Sequence, residues 1–100
     1  MIKENLLFVT GWDQLKLHFE RVHPCFFQDL ENAFTNLTAN EKRHCAYIKL
    51  NLSTKEIASL LNVSDKSVQM ARYRMKKKMM IEPETELQEV IYALGKPMLV

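Results

Sequence analysis

Residues 64–80 read SDKSVQMARYRMKKKMM. At 100° per residue, Val68, Ala71, Met75 and Met79 fall on one side of a helix and form an apolar seam that must be buried. Roughly opposite lie Lys66, Gln69, Met70, Tyr73, Arg74 and Lys77. Six residues of the stretch are cationic (Lys66, Arg72, Arg74, Lys76, Lys77 and Lys78), against the single acid Asp65. Asp65 sits in the first turn, where a carboxylate suits the helix dipole, and Ser64 is the natural N-cap. Taken alone, such a stretch describes a solvated, lysine-rich surface helix. The residues before it change that reading.

Ser53-Thr54-Lys55-Glu56 is a capping box that opens a short helix through Leu61, with Ile57, Ala58, Leu60 and Leu61 on its apolar side. Asn62-Val63-Ser64 is a tight connector. A short helix, a three-residue turn and a longer cationic helix make the helix-turn-helix layout, and the small Ala58 suits the close approach of the two helices. Upstream, Thr38 and Glu41 form another capping box. The helix they open should bury Cys45, Ile48 and Leu52, with Tyr47 nearby. It should stop at Asn51, because Asn tolerates the left-handed conformation that closes many helices.

Further out, residues 1–9 read as an irregular lead-in. Thr10 with Asp13 resembles a capping box, after which Trp12, Leu15, Phe19 and Val22 repeat at helical spacing. Pro24 should end that helix and begin the next, whose stripe is Phe27, Leu30, Phe34 and Leu37, widened by Phe26 and Ala33. So short a break predicts a helical hairpin over 10–36. Its aromatic residues are read as core, and Leu17, pointing away from the stripe, as a candidate partner contact. The helix-turn-helix unit then spans 37–81. Glu82-Pro83-Glu84 should start a last helix within 82–97, with Leu87, Val90, Ile91 and Leu94 as its stripe and Gly95 and Pro97 as its end.

The 100 residues are enough for one domain, 47% hydrophobic and 26% charged, with only 2 Gly and 3 Pro, which favours an all-α protein. A net charge of +2 hides an asymmetry: residues 38–81 carry a net +7, between segments of −2 and −3. That pattern marks a polyanion-binding surface. Cys25 and Cys45 read as reduced, buried small hydrophobes of an intracellular protein. No signal-peptide core and no apolar run of transmembrane length is present, so the expected compartment is the cytoplasm, with no membrane partner. His18, His23 and His44 do not fall at metal-ligand spacings with the cysteines. No glycine-rich phosphate loop or nucleophile motif occurs. Neither an enzyme nor a cofactor is expected.

The run LTANEKRHCAYIKLNLSTKEIASLLNVSDKSVQMARYRMKKKM resembles the C-terminal DNA-binding domain of LuxR-type (GerE-like) bacterial transcription regulators. Leu37-Thr38 with Glu41, the run at 53–58, Leu61, Val63-Ser64, Ser67-Val68 and Lys78 carry the resemblance. With W…F…FE.VHP.FF..L upstream and ARYR in the basic helix, the pattern is nearer still to sensory regulators of Bacteroidetes. The resemblance implies an all-α fold in which an N-terminal helical hairpin precedes a LuxR-like four-helix helix-turn-helix domain. Asn51 and Met80 stand where the family usually has Gly. Ala71 stands where it often has His, and Gln69 where basic residues are frequent, so base specificity is not transferable.

If residues 65–78 enter the major groove, the outward Lys66, Gln69, Met70 and Tyr73 read bases: Gln69 suits adenine, Lys66 guanine and Met70 a thymine methyl. Thr54, Lys55 and Ser67 at helix N-termini, with Arg74, Lys76 and Lys77, would hold phosphates. Arg72 should pair internally with Glu41 or Glu56, Lys78 should be structural or peripheral, and His44 partly buried or on the surface. The partner is double-stranded DNA. The resemblance adds a homodimer through the last helix, for which the residues leave Tyr92 and Ala93, and an upstream sensor domain or RNA polymerase. Two alternatives share these features: a promoter-reading region of a sigma factor, and a protein-interaction module with a vestigial helix-turn-helix.

Overall fold

The computed structural model describes residues 11–94; the lead-in, the Thr10 cap and the end of the chain at Gly95 and Pro97 lie outside them. Within them the chain is all-α, with no strand. The helices are α1 (Gly11–Val22), α2 (Phe26–Ala33), α3 (Ala39–Lys49), α4 (Thr54–Leu61), α5 (Asp65–Lys78) and α6 (Leu87–Ala93).

Local chemistry sets the starts of the three middle helices. Thr38 Oγ1 accepts from the Glu41 N–H while Glu41 Oε1 accepts from the Thr38 N–H, at 3.1 and 2.8 Å. Ser53 and Glu56 repeat the same reciprocal pair at the start of α4. Ser64 caps α5 through the Ser67 N–H at 3.1 Å. Each cap satisfies donors that a helix start leaves without partners.

The same three helices close alike. Asn51, Asn62 and Met80 have φ of 66°, 59° and 60°. The following N–H groups, of Leu52, Val63 and Ile81, then donate to carbonyls five residues back, on Tyr47, Ala58 and Lys76. That is the left-handed closure with its 6→1 bond. Asn adopts it at little cost. Met80 does not, and a left-handed Cβ costs roughly 1–2 kcal/mol.

The core forms around α3, in which five consecutive residues, His44 to Ile48, are buried. Trp12 of α1 meets Tyr47 edge-on at 5.6 Å. On the α2 side, Lys42 pairs with Glu31 at 3.2 Å and the Lys49 ammonium lies 5.9 Å from the Phe26 ring centre. Towards α6, Lys49 Nζ donates to the Tyr92 and Leu94 carbonyls, both at 2.7 Å. α5 closes the remaining side through Val68, Met75 and Met79, all buried; Ala71 is half-buried. Ile57 and Ala58 of α4 are buried beneath α5.

Several sequence expectations are corrected. Pro24 lies in the turn between α1 and α2, and α2 begins at Phe26 behind Cys25. Val22 is the last residue of α1 and is 57% exposed, so the seam of α1 is Trp12, Leu15 and Phe19. In α2 the fully buried residues are Phe26 and Leu30, whereas Ala33 is exposed. Cys25 is an exposed thiol; Cys45 is buried, and burial pushes its thiol up to about 12. The last helix starts at Leu87: residues 83–85 form a turn, and Pro83 offers its carbonyl to Lys76.

Candidate nucleic-acid interface

α5 presents two faces. Its inner seam is fixed by Val68 and Met75, 1% and 0% exposed. The opposite face therefore turns to solvent, and Lys66, Gln69, Met70, Tyr73, Arg74 and Lys77 are all exposed there. Met70 and Tyr73 are large apolar or aromatic groups at 49% and 58% exposure. Lys77 Nζ lies 5.0 Å from the Tyr73 ring centre, which braces the phenol against the helix. Ser64, Lys66, Ser67, Met70 and Arg74 line a shallow recess at the N-terminal half of this face.

The structure thus brings the four expected base readers onto one solvent face with Arg74 and Lys77. Lys55 is exposed and Thr54 half-buried at the start of α4, and Ser67 is exposed, its hydroxyl accepting from Ser64 Oγ. Lys76 stands apart. Its ammonium donates to the Pro83 carbonyl at 2.9 Å and ties α5 to the segment before α6.

The internal pairing differs from the expected one. Glu41 binds Lys78, at 2.8 Å, and not Arg72. Burial alone would raise the Glu41 carboxyl, but the Lys78 ammonium and the Thr38 donors outweigh it and hold it below the usual range. Arg72 turns inward instead, and its Nε–H donates to His44 Nε2 at 3.4 Å. His44 is buried, 2% exposed, not at the surface. Burial first, and the Arg72 charge second, lower its imidazole to about 4. The neutral ring is the acceptor that Arg72 requires.

This pair carries a pH prediction. An unfolded histidine takes up its proton near 6.5, while folded His44 does so only near 4. Above pH 6.5 both states are neutral there and nothing is lost. As pH falls from 6.5 towards 4 the unfolded state alone gains the proton, so stability declines by about 3 kcal/mol and then levels. Urea unfolding between pH 7 and 4.5 measures the slope. His44→Gln, which keeps an acceptor for Arg72 but does not titrate, should flatten it; an unchanged slope would remove His44 as its source.

Tyr92, expected at a dimer surface, is half-buried, and its hydroxyl donates to Asn51 Oδ1 at 2.7 Å, while Ala93 is exposed. The phenol of Tyr92 thus already serves the packing of α6 on α3. Leu17 is 64% exposed. Among the described residues no group of three or more His, Cys, Asp and Glu is placed to hold a metal ion, and no helix is long and apolar enough to cross a membrane.

Sequence reasoning passed over Arg43. Its guanidinium lies 5.1 Å from the Trp12 ring centre, and its Nε is buried with no hydrogen-bond partner among the described residues. No local pattern marks it, since Trp12 and Arg43 are brought together only by the packing of α1 on α3.

The family model GerE, described as bacterial regulatory proteins of the luxR family, matches residues 35–91. No curated protein and no solved structure matches the chain.

Proposed function

The chain belongs to the luxR family of bacterial regulatory proteins, whose match spans more than half of its 100 residues, and from its DNA-binding helix-turn-helix we propose a sequence-specific reader of duplex DNA that regulates transcription. The observation that carries the finer reading is the solvent face of α5. Lys66, Gln69, Met70 and Tyr73 stand free of the fold there beside two exposed cations, Arg74 and Lys77. A helix with this face fits the major groove, where a Gln amide matches adenine N6 and N7 and a Lys ammonium matches guanine O6 and N7. Lys55, Arg74 and Lys77 hold phosphates, aided by the helix starts at Thr54 and Ser67. Lys76 and Lys78 mainly hold the fold. The helical hairpin acts as a buttress for α3, and α6 as a packing element whose outer edge, at Tyr92 and Ala93, meets a second copy on a two-fold site.

Selection of a preferred duplex from random DNA, followed by binding of variants, tests the assignment. Gln69→Ala is expected to change the preferred base at one position by roughly 1–3 kcal/mol. Lys77→Ala should weaken selected and random duplexes alike. Equal losses on both for Gln69→Ala would remove Gln69 as a base reader. The stoichiometry of the saturated complex, two chains per selected site or one, decides the homodimer.

A further inference from the structure

Beside the base-reading face, a groove of about 430 Å³ runs between the start of α3 and α5. Arg43, Arg74, Asn40 and Ser67 bring polar groups to its lining, and Val68 and Ala71 bring apolar ones. Ser67 and Arg74 also border the recess that Lys66 and Met70 line, so the two depressions share these two residues of α5. We propose that this groove is a lateral phosphate site for the DNA backbone, in which Arg43 and Arg74 hold the strand that borders the major groove.

The charge balance favours an anion there. Glu41 is the carboxylate among the lining residues, and it is already neutralised by Lys78 at 2.8 Å and by the Thr38 N–H at 2.8 Å. Two guanidinium groups remain without an ion pair to a carboxylate in the groove. The Arg43 guanidinium rests against the Trp12 ring, 5.1 Å from its centre, and among the described residues its buried Nε has no hydrogen-bond partner. A guanidinium resting against an aromatic ring, lining a groove and unpaired with any carboxylate among the described residues can bind phosphate through its terminal Nη donors. Position supplies the source of that phosphate. When α5 lies in the major groove, the backbone on its α3 side passes beside Ser67 and Arg74.

The inference rests on the DNA-reading role, and the test separates the two. Binding of a random duplex is measured against salt for the parent, Arg43→Gln and Asn40→Asp. Asn40→Asp leaves the Trp12–Arg43 contact intact and puts a carboxylate where the first turn of α3 tolerates it, so it should not lower the melting temperature. Arg43→Gln should weaken every duplex roughly three- to tenfold at 0.1 M salt and make the salt slope shallower by about one. Asn40→Asp should weaken binding to a similar extent with the fold unchanged. Emission of Trp12, the one tryptophan of the chain, should change on DNA binding in the parent and not in Arg43→Gln. Parent affinity and slope in both variants would overturn the proposal and leave the DNA reading standing. Inorganic phosphate that alters Trp12 emission, without any effect of Arg43→Gln on DNA, would assign the groove to a free anion and overturn it as well. A parent that retards no duplex even at low salt would overturn both.

Discussion

Raising the salt concentration from about 50 to 200 mM is expected to weaken duplex binding about 150- to 500-fold. The expectation follows from counting cations the fold has left for a ligand, not cations in the sequence. Residues 38–81 carry 10 Lys and Arg. Lys42 and Lys78 are matched to Glu31 and Glu41. Lys49 and Lys76 donate to backbone carbonyls, and Arg72 donates to His44. Lys55, Lys66, Arg74 and Lys77 remain exposed, and Arg43 joins them in the groove beside α5. Each phosphate neutralised contributes about −0.9 to the slope of log affinity against log salt, so four or five contacts give about −3.6 to −4.5. Retardation or anisotropy titrations at several salt concentrations measure it. A slope near zero would sink the phosphate mechanism. A slope near −9 would mean that Lys76, Lys78 and the other tethered cations leave their partners on binding.

The parts of this fold that were legible in the sequence are those decided within one turn of helix. Thr38 with Glu41 and Ser53 with Glu56 announce helix starts because both partners of each bond lie three residues apart. Asn51 announces a helix end because Asn tolerates the left-handed backbone, and Asn62, read as the start of a connector, closes α4 in the same way. The exposed face of α5 follows from its seam, since a helix that buries Val68 and Met75 must expose Gln69 and Tyr73. What was not legible depends on neighbours distant in sequence. α3 is enclosed on most sides, so His44 to Ile48 are all buried and periodicity gives no guide to which of them faces what. Whether Glu41 takes Arg72 or Lys78 depends on how α5 rolls against α3. The helix from Leu87 starts late because residues 82–85 close a turn, the Thr85 N–H donating to the Glu82 carbonyl at 3.0 Å, and Lys76 of α5 reaches the Pro83 carbonyl within it. Arg43 entered no sequence pattern, because its aromatic partner lies 31 positions earlier in the chain.

The seam of the hairpin offers the sharpest contrast between spacing and structure, and it yields the largest expected loss of stability. Spacing puts Val22 in the stripe of α1 and makes Phe27 the lead residue of α2. In the fold Val22 is 57% exposed, Phe27 is half-buried, and Phe26 is fully buried. The Phe26 ring meets Phe19 edge-on at 5.2 Å and Phe27 at 5.5 Å, with the Lys49 ammonium 5.9 Å away. It therefore joins α1, α2 and α3 at one point. Replacing it by alanine removes a ring from contact with all three helices and leaves a cavity that a chain of this size closes poorly. Phe26→Ala should cost about 3–5 kcal/mol, and Val22→Ala should stay within about 0.5 kcal/mol. Against a total stability of roughly 5–15 kcal/mol for a domain of this kind, the first change lowers the urea midpoint steeply and the second hardly moves it. Far-UV circular dichroism and Trp12 fluorescence should report one shared transition in Phe26→Ala, because α3 carries both the hairpin and the helix-turn-helix. Separated transitions would show the hairpin to be an independent unit. Equal losses in the two variants would show that the seam runs through Val22, as the spacing alone suggests.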